Sequence, residues 1–246
     1  MPHLRMRSVI LLLLLLLQTL RLKAMAEVQI RRYKDDDEVD VKDIFTVGMH
    51  ELIPYSCKYV LKQPHVQMLL LSVFCVLLAT SGSLLLPMLA VTLLLAAGWQ
   101  GICYMIYNYV RTSMCSDFSN IRQSYLEKPN SCFWVAESQG RVVGTVACYS
   151  AKEDKDCVEL RRMSVKPSHR GQGIAKALCH IVADFARDQG CPAVVLYTSS
   201  VQIDAQKLYE RMGYKKVREF ASPVLFSRIT KIMVMKYVLD LQQPGN

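Results

Sequence analysis

A long run without charged side chains is the strongest constraint on this chain. From Val66 to Val110 the sequence contains no Asp, Glu, Lys or Arg in 45 residues. One helix of that length would extend about 67 Å, roughly twice the hydrocarbon thickness of a bilayer. Residues 80–83 (TSGS) and Pro87 interrupt the run where a turn would fall. We predict two membrane-embedded helices in a hairpin, or one span with a shallow re-entrant segment. A buried pair of core helices is disfavoured, because soluble cores rarely run so far without a charge.

The residues at the two ends of this run indicate an orientation. Lys58 and Lys62 precede it, and Arg111 follows it. Aromatic residues crowd its second end in the pattern of an interfacial belt: Trp99, Tyr104, Tyr107 and Tyr109. Because positive charge favours the cytoplasmic side, a hairpin with both ends in the cytosol agrees best with this pattern.

The first 24 residues form a separate apolar leader. Arg5 and Arg7 precede an apolar run that ends at Leu17, and Ala24-x-Ala26 has the spacing of a signal-peptidase site. Basic residues between the run and that site are unfavourable for cleavage, and Met25 is an alternative start. Signal anchor, cleaved signal peptide and dispensable leader therefore stay open as three interpretations.

The cysteines and histidines predict neither a disulfide framework nor a metal site. The nine cysteines include no C-x-x-C pair, and the five histidines are scattered. No N-x-[ST] sequon is present either. These features favour a reducing, cytosol-facing domain that holds no metal.

The formal net charge of +9 is distributed unevenly along the chain. Residues 161–176 hold five basic side chains and no acidic one, whereas residues 35–40 read DDDEVD. A local basic cluster beside a glycine turn suits a phosphorylated small molecule better than a nucleic-acid backbone. We therefore predict no nucleic-acid partner.

Outside the uncharged run, short patterned segments predict alternating strands and helices. Residues 28–33 alternate as a first strand, and residues 35–53 read as a helix with acids in its first turn. Residues 116–128 predict a second soluble helix, with Ser116 or Asp117 as its N-cap. Further strands are predicted at 133–137, 142–149, 157–165, 193–198, 214–220 and 229–239, and helices at 173–190 and 204–213. This order predicts an α/β domain on a mixed β-sheet flanked by helices and interrupted by an inserted membrane helical hairpin.

A glycine turn precedes the helix at 173–190. A Walker loop would require Gly-Lys-Ser/Thr, and a dinucleotide turn would require Gly or Ala where Lys176 stands, so both patterns fail. The pattern R/Q-x-x-G-x-G/A matches in full, as Arg170-Gly171-Gln172-Gly173-Ile174-Ala175. Glycine lets the backbone approach a ligand, and the N–H groups at a helix start can converge on a pyrophosphate. The alternative is a glycine turn that only allows close packing of strand and helix.

This motif resembles the acetyl-CoA-binding motif of the GNAT acyltransferase superfamily. The segments FWVAES, HRGQGIAKAL, FARDQG, AQKLYERMGY and the opening MAEVQIRRY resemble more closely the camello-like, or N-acetyltransferase family 8, group. That group also carries an apolar segment between its first two helices. The resemblance implies a GNAT domain over residues 25–63 and 111–246, with the membrane hairpin at 64–110 inserted and residues 1–24 outside it.

The resemblance also implies roles for individual residues. Glu159 matches a general base, although a salt bridge to Arg161 or Arg162 is an equal alternative. Tyr209 matches the acid that protonates the CoA thiolate, against a plain core tyrosine. Backbone N–H groups of Met163, Ser164 and Val165 would polarise the carbonyl and pair with the pantetheine arm. The remaining acetyl-CoA contacts implied are Arg170, Gly171, Gln172, Gly173, Ile174, Ala175, Lys176 and Gln202, the last in place of a more usual Asn.

The implied function is a membrane-bound N-acetyltransferase. It would move an acetyl group from acetyl-CoA to a primary amine by direct transfer, since no cysteine lies in a recognisable nucleophile context. The implied acceptor is a small conjugate such as a cysteine S-conjugate, or a protein lysine, and the sequence does not choose between them. The lipid bilayer is the other expected partner, with the endoplasmic reticulum or Golgi as the location. A catalytically inert CoA-binding module in adhesion or trafficking is the alternative.

Overall fold

The computed structural model describes residues 28–151, 156–221 and 230–242. The apolar leader over residues 1–24 therefore lies outside the described residues. The strands are Val28–Arg32 (β1), Cys132–Ser138 (β2), Arg141–Ser150 (β3), Val158–Val165 (β4), Ala193–Ser199 (β5), Lys215–Ala221 (β6) and Met233–Asp240 (β7). The α-helices are Glu38–His50 (α1), Leu52–Leu61 (α2), Pro64–Ser81 (α3), Leu85–Cys115 (α4), Ile174–Asp188 (α5) and Ile203–Arg211 (α6).

The strands form a seven-stranded mixed sheet in the order β1-β2-β3-β4-β5-β7-β6, which confirms the predicted α/β class. The described residues divide into two compact units, 28–44 with 121–151 and 156–192, and 45–120 with 193–221 and 230–242. In the first unit β1 to β4 pair antiparallel in chain order. In the second, β7 pairs antiparallel with both β5 and β6.

The predicted β2–β3 hairpin is confirmed, and its turn has a clear cause. Gln139 and Gly140 both have positive φ, 51° and 73°, which is the backbone that a two-residue hairpin turn requires. Glycine adopts this conformation without steric cost, so the position of Gly140 explains why the strands reverse there.

Helix α5 packs on the sheet of the first unit through an amphipathic face. Its buried side includes Leu178, Val182 and Ala186, while its other side is exposed. A Cβ added at Gly144 of β3 would lie 3.3 Å from side-chain atoms of both Ile174 and Leu178. Gly144 therefore lets the start of α5 approach the sheet closely, which positions the turn before the helix.

The uncharged run folds as two long helices, α3 and α4. Helix α3 ends at Gly82, whose φ of 62° is the left-handed C-cap conformation, so the predicted turn near TSGS is confirmed. Both helices are long and apolar enough to cross a membrane by length and composition. None of the α3 residues is buried. We call α3 and α4 up to Ile102 the apolar hairpin.

The last part of α4 belongs to the packed interior of the second unit. Ile102, Ile106 and Val110 are buried one helical turn apart. Tyr109, further along this part of α4, contacts Phe45 of α1 with ring centroids 6.2 Å apart. The uncharged run thus lies in two environments. Its first two thirds expose apolar side chains, and its end packs against protein.

Two predicted elements differ in the structure. The helix predicted over residues 35–53 is broken at Glu51, and the separate helix α2 follows. The helix predicted over residues 116–128 is wrong, since only one π-helical turn forms at Arg122–Leu126. Tyr125 in that turn is buried and contacts Phe133 at 5.5 Å between ring centroids. This tertiary contact overrides the local helix propensity.

Candidate active site

The glycine turn begins directly after β4 in the first unit. The chain leaves Val165 through a 3₁₀ turn at Pro167–His169. Gly171 and Gly173 then take φ of +74° and +84°, in the left-handed region that side chains with a Cβ rarely adopt. Gly173 is the N-cap of α5. Two glycines are therefore needed here for the backbone itself and not only for packing.

The amides of this turn are open. Within the part of the chain that the structure describes, nothing accepts a hydrogen bond from the N–H groups of residues 171–176. The first helical bond of α5 runs from the Ala177 N–H to the Gly173 carbonyl at 3.0 Å. A Cβ added at Gly171 would meet no atom within 4 Å, so this side of the turn faces open space. The turn thus fits the phosphate groups of acetyl-CoA, because a helix start with free N–H groups favours an anion.

The two basic side chains beside the turn have different surroundings. The Arg170 guanidinium donates through Nε to the Val165 carbonyl at 3.0 Å, which ties the turn to the end of β4. Lys176 lies exposed in the first turn of α5. A phosphate contact from either side chain stays a prediction, and the structure gives Arg170 a local structural role in addition.

Glu159 lies on β4 in a polar cluster. Only part of this cluster was predictable from the sequence. Its residue surface is 8% exposed, and the Tyr149 hydroxyl of β3 donates to its Oε2 at 3.2 Å. Arg161 Nε lies 3.3 Å from its Oε1, because residues two apart on a strand share a face. The guanidinium also lies over the Tyr149 ring, 5.1 Å from the centroid. The predicted salt bridge to Arg161 is therefore present, and Tyr149 joins it without having been predicted.

The cluster holds the Glu159 carboxylate and the Arg161 guanidinium together in a mostly buried environment. Burial alone would lower the pKa of Arg161, but the neighbouring Tyr149, Tyr125 and Glu159 reverse the effect and raise it. The hydroxyl of Tyr149 and the charge of Arg161 both stabilise the ionised form of Glu159. An ionised carboxylate at this position can hold an ammonium group. Its role as general base stays a prediction.

A β-bulge precedes the predicted backbone contacts at Met163, Ser164 and Val165. Arg162 has a φ of +52°, and the β3–β4 register shifts between Thr145 and Ala147. The Thr145 hydroxyl donates to the Arg162 carbonyl at 2.9 Å and stabilises this strained backbone. No sequence signal marks a positive φ at an arginine, so the bulge was missed. The Ser164 hydroxyl donates to the Ile44 carbonyl of α1 at 3.2 Å; the amide contacts to acetyl-CoA stay predictions.

Gln202 and Tyr209 lie in the second unit. The Gln202 Oε1 accepts from the Ser199 N–H at 3.1 Å and from the Thr198 hydroxyl at 3.2 Å, which fastens the start of α6 to the end of β5. Tyr209 is buried, with its ring centroid 5.7 Å from that of Tyr214. A core position and a catalytic hydroxyl are compatible for this tyrosine, and its role as acid stays a prediction.

The surroundings of Tyr209 include a second, differently placed tyrosine. The Tyr237 ring centroid lies 6.3 Å from that of Tyr209. The Tyr237 hydroxyl donates to Glu210 Oε1 at 3.0 Å. Burial and this hydrogen bond raise the pKa of Tyr237 to about 12. Tyr237 is therefore a poor proton donor.

The fold and the glycine turn agree with comparisons to known proteins. Residues 103–214 match the family model of the acetyltransferase (GNAT) family. The Xenopus tropicalis camello N-acetyltransferase is 37% identical over 218 residues, covering 89% of this chain and all of the relative. N-acetyltransferase 8B of Homo sapiens is 41% identical over 220 residues, covering 88% of this chain and 96% of the relative. A Salmonella typhimurium structure with its cofactor acetyl-CoA shares the fold, with a TM-score of 0.50, 16% identity, and coverage of 89% of this chain and 96% of that one.

The protein is an acetyl-CoA-dependent N-acetyltransferase of the GNAT class. Within that class the chain belongs to the camello-like N-acetyltransferase 8 family, as the identity over most of its length shows.

Proposed function

We propose that the protein is a membrane-bound enzyme that acetylates the α-amino group of small, lipophilic amino-acid conjugates such as cysteine S-conjugates. The observation that carries this proposal is the pairing of Glu159 with Arg161, 3.3 Å apart on one face of β4. A protein lysine is the competing acceptor.

The pair matches the two charges of an α-amino acid. Its ammonium group would lie against the Glu159 carboxylate, and its carboxylate against the Arg161 guanidinium, whose planar fork suits carboxylates. The Arg161 side chain is 31% exposed and can reach a ligand, while the Tyr149 ring supports its other side. A lysine side chain carries no carboxylate next to its amine and would leave Arg161 without that contact.

The proposed chemistry is a direct transfer. Acetyl-CoA supplies the thioester when it is bound. Glu159 takes a proton from the acceptor ammonium, and the freed amine forms the new N–C bond as the C–S bond breaks. Tyr209 gives its proton to the departing sulfur and regains one from solvent, while the second proton of the acceptor nitrogen leaves to solvent as the amide forms. The N–H groups of residues 171–176 hold the phosphate groups, and those following the Arg162 bulge would polarise the carbonyl.

The apolar hairpin supports the membrane part of the proposal. Its exposed side chains include Leu71 and Leu93, 63% and 60% exposed, which water solvates poorly. A bilayer would cover them and concentrate a lipophilic acceptor near the enzyme. We place the protein in the endoplasmic reticulum or Golgi membrane with its catalytic domain in the cytosol, in agreement with the free cysteines among the described residues.

A matched pair of acceptors tests the acceptor class. Purified enzyme in lipid would receive S-benzylcysteine, the amine that lacks its carboxylate, and a lysine peptide, each with acetyl-CoA. We expect kcat/KM to be about tenfold to hundredfold higher for S-benzylcysteine, because a charge-assisted hydrogen bond contributes about 1.5–3 kcal/mol. Arg161→Gln should remove this advantage and leave turnover of the simple amine unchanged.

Arg141→Gln is the control, since Arg141 is an exposed arginine at the start of β3. It should keep the preference for S-benzylcysteine. Equal rates with the two small acceptors in the wild type would contradict the acceptor class. An equal, partial loss of activity toward both small acceptors in Arg161→Gln and Glu159→Gln, with the preference unchanged, would assign the pair to structure alone.

A further inference from the structure

We propose that helix α2 lies on an anionic lipid surface at the base of the apolar hairpin, with Lys58 and Lys62 contacting the acidic headgroups. This inference rests on the membrane placement proposed above. It adds a lipid class and the residues that select it.

One face of α2 is exposed and has the composition of an interfacial helix. Tyr55 and Leu61 on this face are 63% and 44% exposed, and Lys58 and Lys62 are exposed beside them. These positions are three or four residues apart, so they lie on one side of the helix. Ser56, on the opposite side, is 1% exposed. The protein therefore covers one side of α2 and leaves open a side that carries apolar, aromatic and cationic groups.

The two lysines have no acidic partner. Over the described ranges, neither the Lys58 nor the Lys62 ammonium group forms an ion pair or hydrogen bond. Lys42, Lys166 and Lys216, by contrast, each contact a carboxylate. Helix α2 itself contains no Asp or Glu. The positive charge on this face is thus left for an external anion.

The position of α2 along the hairpin places this charge at the level of a membrane surface. Helix α3 begins at Pro64, two residues after Lys62. Counting an equal rise from the Gly82 turn along both helices, the start of α3 is level with about Trp99 to Ile102 of α4. Trp99 is 48% exposed there, and Ile102 is the first residue of the buried stripe at the end of α4. Aromatic and lysine side chains meet at this level, as they do where a bilayer ends.

These lysines can distinguish a membrane surface with net negative charge from a zwitterionic one. A zwitterionic headgroup offers a phosphate next to a cation, whereas an acidic lipid offers uncompensated charge. Each lysine near an acidic surface strengthens binding about fivefold at low salt. We expect the annulus around the hairpin to prefer acidic lipids accordingly.

Trp99 provides a direct measurement. The full chain, reconstituted in bilayers, would be titrated with phosphatidylserine or phosphatidylcholine that carries brominated acyl chains, which quench tryptophan fluorescence on contact. Trp134, the second tryptophan, is 5% exposed in the sheet and gives a constant background. We expect both lipids to quench Trp99, with a relative affinity about fivefold or more in favour of phosphatidylserine. Lys58→Gln with Lys62→Gln should bring the ratio close to one, as should about 0.5 M salt.

The control removes the same charge elsewhere in the second unit. Lys207→Gln with Lys215→Gln changes two exposed lysines on α6 and β6 and should keep the preference. Equal quenching by the two lipids in the wild type, or equal loss of preference in both double variants, contradicts the proposal while leaving the membrane placement intact. Absence of quenching by either lipid contradicts the membrane placement itself. Acetyl transfer to the simple amine checks that each variant is folded.

Discussion

Two regions of the molecule leave groups without partners, and these groups are of opposite kinds. The first region is the turn between β4 and α5, and the second is the apolar hairpin. At the turn, polar N–H groups at the start of a helix stay without acceptors among the described residues. In the hairpin, apolar side chains stay without cover, and no α3 residue is buried. The turn is suited to an anion, and the hairpin has the length and composition suited to an apolar solvent. Both preferences can be read from the molecule, because a helix start with free N–H groups favours an anion and a large exposed apolar surface favours an apolar environment.

The contrast agrees with the proposed function, which uses both regions. The turn offers backbone groups in a fixed geometry, which suits a charged and water-soluble donor such as acetyl-CoA. The hairpin offers a large apolar surface without geometric selection, which suits a bilayer. A donor from water and a lipophilic acceptor from the membrane would then meet at one enzyme.

The largest effect is expected from charging the hairpin. Leu93, 60% exposed on α4, lies near the middle of the hairpin. Leu93→Arg should weaken membrane insertion by about 3 kcal/mol, because an arginine at a bilayer centre is poorly solvated. The measurement is the fraction of protein that resists carbonate extraction from membranes. Val217→Arg changes an equally exposed residue of β6 and should leave that fraction unaltered. If carbonate extracts both variants to the same extent, the hairpin is not in the bilayer.

An intermediate effect is expected from the turn. Gly173→Ala places a Cβ at a φ of +84°, which costs about 1–2 kcal/mol and rotates the amides away from a common target. We expect the KM for acetyl-CoA to rise about tenfold or more, since every 1.4 kcal/mol of lost binding is tenfold. Gly190→Ala introduces the same strain at a φ of +71°, at the other end of α5. Gly190→Ala should lower the melting temperature by a similar amount and leave the KM for acetyl-CoA unchanged. An equal rise in this KM in both variants would contradict the role of the turn in binding phosphate.

The smallest effect is expected where the polar groups are satisfied within the protein. The Arg31 guanidinium contacts Asp37 at 2.7 Å. Burial tends to raise the pKa of Asp37, but the hydrogen bonds from Arg31 and the Lys34 backbone outweigh it and lower the pKa. A lowered pKa in the folded state stabilises the protein above the unfolded value of about 3.9, and this contribution is lost as the pH falls through the folded pKa.

Arg31→Ala should therefore destabilise the protein by about 1 kcal/mol at neutral pH, after allowance for solvent screening. The difference from wild type should shrink as the pH falls below about 4, which thermal melts at several pH values would record. Arg122, paired with Asp35 at the surface, provides the control. Arg122→Ala should change the melting temperature much less at every pH. A difference that persists unchanged into acid would show that Arg31 acts through packing.

Much of the fold was predictable because its signals are local. The alternating residues of β2 and β3, the Gly140 turn and the amphipathic face of α5 each lie within a short window, and the structure confirms them. The segment 116–128 was not predictable, because Tyr125 packs against Phe133 of a later strand. The candidate site divides in the same way. The glycine turn is contiguous and was found, whereas the contact of Tyr149 with Glu159 depends on strand register.

The amino-acid sequence by itself determined the uncharged run, its turn at Gly82 and the glycines before α5. Each of these is a property of neighbouring residues, namely their hydrophobicity or the backbone that they permit. Only the tertiary structure decided that Tyr149 and Arg161 surround Glu159, and that Ile102, Ile106 and Val110 of α4 are buried. Such contacts depend on how strands pair and helices pack, and these arrangements join residues far apart in the chain.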